Sequence, residues 1–307
     1  MSPSTVAAIL TRRSSRVRAD DVARPAIRHW LSTAGCLMLV ALLVGCRATQ
    51  PVADAGLGSL GASHDRDWTA NHALLPRAVI NGDQVMLYNV RDTRYLSNDD
   101  YVVQHFDADL RLDQLQTVDF VVVPFKEAPS LAHTMLSFGF ANDRHIVVSA
   151  EARMEDGESY SAIRGAFGQY ELMYVVATER DVIPLRTKHR DVDVYVYEST
   201  ATPAQARALF VDMLDRVNEL YEQPEFYDTL TNNCTSNIVQ HINRIRPGSL
   251  SLLDPRILLP GYSDQVAFEA GLIRSRGGYY ATRRRANVKE ASNQNLAAAD
   301  FSKKIRR

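Results

Sequence analysis

The sequence is short of cysteine, of long apolar runs and of net charge. Three cysteines in 307 residues, Cys36, Cys46 and Cys234, cannot make a disulfide framework. No apolar stretch reaches the ~18 residues that a membrane-spanning helix needs. A formal net charge of −1 excludes a strongly basic nucleic-acid binder, so no nucleic-acid partner is expected. With 15 Gly and 12 Pro, collagen-like and low-complexity readings fall away. The composition is 46% hydrophobic and 23% charged, that of an ordinary globular protein.

Position says more than composition. Residues 1–32 carry six arginines against Asp20 and Asp21, followed by the 13-residue apolar run TAGCLMLVALLVG. A basic flank, a short apolar core and small residues at its end have the layout of an export signal. The run closes on Leu43-Val44-Gly45-Cys46, which resembles the lipobox of bacterial lipoproteins. We therefore expect a lipoprotein signal peptide over 1–45 and lipidation at Cys46. The competing string Thr33-Ala34-Gly35-Cys36 has no apolar core before it. Arg47 stands where such lipoproteins carry an inner-membrane retention residue, and its presence points to the outer membrane, facing the periplasm. The expected membrane partner is thus reached through acylated Cys46 alone.

The remaining charge divides sharply. Residues 46–273 hold 19 basic and 32 acidic groups, whereas residues 274–307 hold 10 basic and 2 acidic groups. Residues 46–72 read as a lipidated tether and 274–307 as a solvated, disordered basic tail. One folded domain over 73–273 is the economical assignment.

Within that domain, strand-like runs come first. They are 78–80, 84–89, 117–124, 131–141, 145–152, 170–177 and 191–197. Helices follow. Thr202-Pro203-Ala204-Gln205 is an N-cap, first-turn proline and capping-box glutamine. A second helix starts after Asn233, and a third runs from about Ser263 to Ile273. Strands before helices argue an α+β fold, an antiparallel sheet packed with C-terminal helices.

Cys234 is the one thiol left after export and acylation. Asn233 caps its helix, so Cys234 lies in the first turn, where the helix dipole and unpaired N–H groups favour a thiolate. The same amides, with Asn233 and Thr235 flanking, could hold an oxyanion. The bland alternative is a buried structural cysteine, which its polar neighbours disfavour.

A thiol nucleophile needs a base. His241 is seven residues further along the same helix, ~10 Å away and out of reach. His72, His105 and His189 sit in polar connecting sequence and read as surface residues. His133 differs. Matching the apolar faces of 131–141 and 145–152 across a hairpin puts His133 on the side of Ser149 and Glu151. A three-residue loop sets Glu151 nearly opposite His133. The expected catalytic set is Cys234 as nucleophile, His133 as base and Glu151 as orienting carboxylate, with no metal and no cofactor.

The strings Ala132–Phe140, Val148–Arg153, Tyr170–Tyr174, Glu179–Asp181, Asn233-Cys234-Thr235 and Leu258–Asp264 together resemble the DUF4105 family. That family is similar to the periplasmic domain of Lnb-type lipoprotein N-acyltransferases. The resemblance covers about residues 67–273. It implies roles for His133 and Cys234 and a permuted papain-like fold of the NlpC/P60 and lecithin:retinol acyltransferase type, in which His precedes Cys. It also implies acyl transfer through a thioester on a lipid or lipoprotein. A peptidoglycan peptidase or amidase, and a non-catalytic binding lipoprotein, remain as alternatives.

Overall fold

The computed structural model describes residues 61–306, all within one compact unit. The expected signal peptide, the expected lipidation at Cys46 and most of the expected tether lie outside the described residues.

The centre is an eight-stranded sheet of order β1-β2-β9-β8-β7-β6-β10, with β5 also paired to β2. These strands are β1 (Arg77–Asn81), β2 (Gln84–Arg91), β5 (His105–Arg111), β6 (Leu115–Pro124), β7 (Ala132–Phe140), β8 (His145–Arg153), β9 (Glu171–Thr178) and β10 (Tyr195–Glu198). A separate two-stranded ribbon joins β3 (Arg94–Tyr95) and β4 (Tyr101–Val102). All pairings are antiparallel except one parallel bridge, Arg91 to Ala177. The helices are α1 (Ala162–Gly165), α2 (Glu179–Pro184), α3 (Pro203–Glu222), α4 (Cys234–Ile245), α5 (Pro255–Leu258), α6 (Ser263–Glu269), α7 (Tyr279–Ala286), α8 (Lys289–Gln294) and α9 (Phe301–Lys304). The α+β architecture expected from the sequence is the one observed.

Both faces of the sheet are covered, which explains why its central strands read as continuous apolar runs. On one face Leu136, Phe138, Ile146 and Val148 meet Leu209, Phe210, Met213 and Leu214 of α3. On the other, Val121, Val123, Met135 and Val147 meet Val182, Ile183, Val288, Phe301 and Ile305. Three residues of that second layer belong to the segment expected to be disordered. The basic tail is instead three short helices, because Val288, Phe301 and Ile305 are each buried against the sheet. Burying such a side chain contributes ~1.5–3 kcal/mol, enough to order a short polar segment around it. The domain also begins earlier than 73. Trp68 bridges to Glu155, and Arg153 stacks 4.0 Å over its ring.

The capping signals are realised as read. Thr202 and Gln205 form a capping box on α3, and the Asn233 side chain accepts from Thr235 N and Ser236 N on α4. The third helix is shorter than expected, ending at Glu269. A tight contact then presses the 255–262 segment onto the entry to β7. Gly261 N–H donates to Ser130 O at 2.9 Å, and a Cβ on Gly261 would lie 2.1 Å from Pro129 O. Backbone cannot yield there as a flexible side chain would. We expect Gly261→Ala to cost ~1–3 kcal/mol, read as a lowered midpoint in thermal denaturation. An unchanged midpoint would mean the segment is not pinned.

Candidate active site

The β7–β8 hairpin sets the site's register. Its pairs run from Leu136 opposite Val148 to Gly139 opposite His145, and Phe140 N–H donates to Arg144 O. The loop is therefore the three residues 141–143. Asn142 and Asp143 take left-handed conformations (φ 68° and 59°), which these two residue types tolerate. Continuing that register puts Glu151 across from His133.

The side chains meet accordingly. His133 Nε2 lies 2.7 Å from Ser149 Oγ and 3.3 Å from Glu151 Oε1. Ser149 Oγ–H in turn donates to Glu151 Oε1 at 3.0 Å, so the hydroxyl bridges imidazole and carboxylate. The His133 ring and the Cys234 thiol, which is buried at the start of α4, lie near enough for each to shift the other's ionisation. The hydrogen-bond contacts of the sulfur are 3.9 Å to Ala132 O and 3.8 Å to Thr235 Oγ1.

Electrostatics follow the geometry. Burial pushes the Cys234 thiol up, but the hydrogen bond and charge of His133, with hydrogen bonds from Thr134, bring it down to about 7 from an ordinary 9.0. Burial opposes charge on His133 as well, and its bonds to Cys234 and Glu151 raise it above the usual imidazole value. Glu151 is held well below the usual carboxylate range. Burial works against it, while His133, Arg186 and Arg91 favour the anion.

Several partners of this cluster were not legible in the sequence. His72 is buried, not at the surface, and lies 3.9 Å from Glu151 Oε2 through Nε2. Burial, with Arg91 and Arg153 nearby, depresses it to about 4, so it is neutral at pH 7. Its Nδ1 accepts from Met154 N–H, which places its one proton on Nε2, toward Glu151. Arg186, from the π-turn Leu185–His189, approaches Glu151 Oε1 at 3.6 Å. Tyr227 shares the cleft with Cys234, and burial and the Cys234 charge push its phenol up, keeping it a proton donor. Its hydroxyl is 3.4 Å from that of Tyr160.

The oxyanion expectation needs correction. Thr235 N–H and Ser236 N–H are both taken by Asn233 Oδ1. Asn233 is the cap, as expected, yet its capping consumes two of the helix amides. The Cys234 N–H is the first-turn donor left over. His241 is bound elsewhere, to Asp212 and Tyr174.

Cys234, His133 and Glu151 line one cleft with Arg186, Lys126 and Tyr227, holding about 2440 Å³ of unfilled space, its mouth included. Among the described residues no cluster of His, Cys, Asp and Glu could hold a metal ion, and no helix is long and apolar enough to cross a membrane.

No curated protein and no solved structure matches the chain. The Lnb N-terminal periplasmic domain matches residues 102–261, an interval that holds His133, Ser149, Glu151, Tyr227 and Cys234. The match spans more than half of the 307 residues, and by it the chain belongs to the family of the Lnb N-terminal periplasmic domain.

Proposed function

We propose that this protein is a cell-envelope thiol enzyme that moves an acyl group through a thioester on Cys234. One observation carries the reading: a helix-capped thiol depressed to about 7, chiefly by an imidazole that a serine–carboxylate pair orients. Nε2 of His133 is engaged by Ser149 and Glu151, so Nδ1 is the nitrogen left for the sulfur. The Cys234 thiolate attacks the carbonyl carbon of an ester or amide, forming the C–S bond. The Cys234 N–H and the Tyr227 O–H are the donors for the resulting oxyanion. Collapse breaks the bond to the leaving alcohol or amine, which takes its proton from His133. An amine or water then attacks the thioester, His133 accepts its proton, and the thiolate is regenerated.

Family membership supports a periplasmic setting. Lipid attachment at Cys46 and residence at the outer membrane extend the proposal on the lipobox-like string alone. A lipid or lipoprotein substrate follows from the same setting. The charged rim of the cleft, with Lys126, Glu127, Asp156 and Glu158, favours peptidoglycan stem peptides as the second reading.

The test is intact-protein mass spectrometry after incubation with phospholipid or with diacylated lipopeptide. We expect an added acyl mass that hydroxylamine removes and that Cys234→Ser abolishes. Cleavage of muropeptides without lipid would favour the second reading. No adduct and no cleavage from either class would sink the enzyme proposal.

A further inference from the structure

One corner of the fold carries large apolar side chains that the described residues leave uncovered. Ile163 is 55% exposed and Phe167 78%, and Leu230 on the neighbouring turn is 57% exposed. Ile163 and Phe167 stand four residues apart in one helical run, in which Gly165 N–H donates to Ser161 O and Phe167 N–H to Arg164 O, so they share a face. The turn beside them is fixed. Asp228 Oδ1 accepts from Leu230 N–H, Thr231 N–H and the Thr231 hydroxyl, which sets the backbone that presents Leu230. Thr229 N–H donates to Gly165 O at 3.3 Å, and a Cβ on Gly165 would come within 2.4 Å of Thr229 Oγ1. Two short segments thus meet at a glycine and present one apolar tip. Apolar side chains gathered in this way mark an interaction surface, whereas scattered ones are ordinary.

The tip is also a lip of the cleft. Tyr160, three residues before Ile163, and Thr229, one before Leu230, both line it. Asn233 Nδ2–H donates to Thr229 O at 2.8 Å, which ties the turn to the cap of Cys234. Inward from the lip, the Tyr160 and Tyr227 rings meet edge to face with centroids 6.2 Å apart. What covers the tip follows from where the chain enters the fold. Ser63 N–H and Arg66 Nε–H both donate to Glu171 Oε1, at 3.1 and 2.6 Å. Glu171 pairs across an isolated bridge with Phe226, and a Cβ on Gly168, the residue after Phe167, would touch the Phe226 ring at 3.7 Å. The described chain therefore starts at the corner that holds the tip. Cys46, the proposed lipid anchor, is fifteen residues before Gly61, at most ~50 Å of chain. A bilayer that holds the anchor is within reach of the tip. The charges beside the tip, Arg164 and Asp228, oppose each other, so apolar insertion drives the contact and charge does not.

We infer that Ile163, Phe167 and Leu230 form a docking tip that sinks into a phospholipid bilayer and turns the mouth of the cleft toward it. The inference rests on the proposed envelope setting and not on the thioester chemistry. An interfacial element of this kind buries its apolar face ~5–10 Å into the boundary of headgroups and acyl chains. Substrate held in the bilayer then enters the cleft past Tyr160 without crossing bulk water.

The experiment puts one new tryptophan in the full-length chain, Phe167→Trp, and reconstitutes the protein in phosphatidylcholine vesicles with or without bromine on the acyl chains. The control is Phe106→Trp on β5. Phe106 pairs with Val90, next to the Arg91–Ala177 bridge, and Ala177 is six residues, ~20 Å, along β9 from Glu171. With the parent's emission subtracted, brominated lipid should remove most of the signal added at 167 and little of that added at 106. High salt should leave this unchanged, because salt screens charges and not apolar contacts. No quenching at 167, equal quenching at the two positions, or quenching at 167 that salt abolishes would overturn the inference. A second readout is acylation of Cys234. Ile163→Ser and Leu230→Ser should each slow it about tenfold from a vesicle-borne donor, the factor for ~1.4 kcal/mol, near the lower end of what burying such a side chain contributes. A water-soluble acyl thioester should react with both variants at the parent rate, and melting curves show that each folds. Equal rates for parent and variants on the vesicle-borne donor count against the tip. If no acylation occurs even in the parent, the thioester reading fails by itself and quenching alone decides the docking tip.

Discussion

Replacing His133 with alanine is expected to move the midpoint of Cys234 alkylation from about pH 7 toward or beyond 9.0, the ordinary thiol value. The sign follows from the causes. Burial alone raises the thiol, and His133 supplies the largest opposing contribution, so its loss leaves burial in charge. At pH 7 the thiolate fraction would fall from about a half to about one per cent. A thiolate of higher pKa is the better nucleophile (Brønsted slope ~0.4–0.5), which recovers a factor of roughly six to ten. Alkylation at pH 7 should therefore slow only about five- to tenfold, the two rates should cross near pH ~8, and above pH ~9 the variant should react faster by up to the same Brønsted factor. Acyl transfer should slow by ~10²–10⁴, because the leaving group also loses its proton donor. The gap between the two losses separates thiol activation from proton transfer. Iodoacetamide kinetics across pH 5–10 and acyl-enzyme turnover measure them, and an unshifted alkylation midpoint would refute the Cys234–His133 pairing.

That pairing shows where sequence reading succeeds and where it stops. Strand alternation and a three-residue turn carry Glu151 to His133 by counting, because side-chain direction in a hairpin has a strict period of two. The cap on Cys234 is equally local, four residues long. His72 and Arg186 reach Glu151 from far along the chain in each direction, and no local pattern encodes such a meeting. Strand β5 was hidden differently. In His105–Arg111 only Ala108 and Leu110 are buried, so an edge strand with outward aspartates reads as polar loop. The occupied amides of Thr235 and Ser236 expose a conflict within the local reading itself. The better the cap, the fewer helix N–H groups remain for an oxyanion. The tail defeated periodicity because its helices are too short to repeat. Phe301 and Ile305 anchor one turn, and the basic residues around them dominate any window average.

Arg306 tests that tail directly, and its replacement should be among the most destabilising changes in the protein. The guanidinium is clamped between two buried carboxylates. It donates to Asp119 Oδ2 at 2.8 Å and to Glu179 Oε2 at 2.9 Å, with a second bond to Glu179 Oε1. Glu179 shows the consequence. Burial raises it, yet Arg306, with help from Ser137, holds it at about 2 against an ordinary 4.5. Asp119 gains less from the same cation. Burial outweighs Arg306 there and leaves it above the usual range. A carboxyl depressed in the fold contributes stability above its unfolded value, so Glu179 stabilises the native state above about pH 4.5 and ceases to as pH falls toward 2. In Arg306→Ala the carboxylate is stranded, and breaking one side of a buried pair costs ~3–5 kcal/mol. At ~2–4 °C per kcal/mol for a domain of this size, the melting temperature at pH 7 should fall by about 6–20 °C. The pH slope should also reverse. Without Arg306, burial raises Glu179, so the variant should gain stability as pH drops from 7 toward 5 while the parent does not. Glu179→Gln added to Arg306→Ala should recover part of the loss, since an amide is cheaper to bury than an unpaired charge. Equal melting of parent and Arg306→Ala across that range would show the tail to be dispensable. Ser137 Oγ–H donates to Glu179 Oε1 at 2.6 Å, and Ser137 lies on β7 four residues beyond His133. The tail thus braces the strand that carries the base, so loss of Arg306 should reach the chemistry only through the fold. The thiol midpoint of molecules still folded should stay near 7 while their number declines.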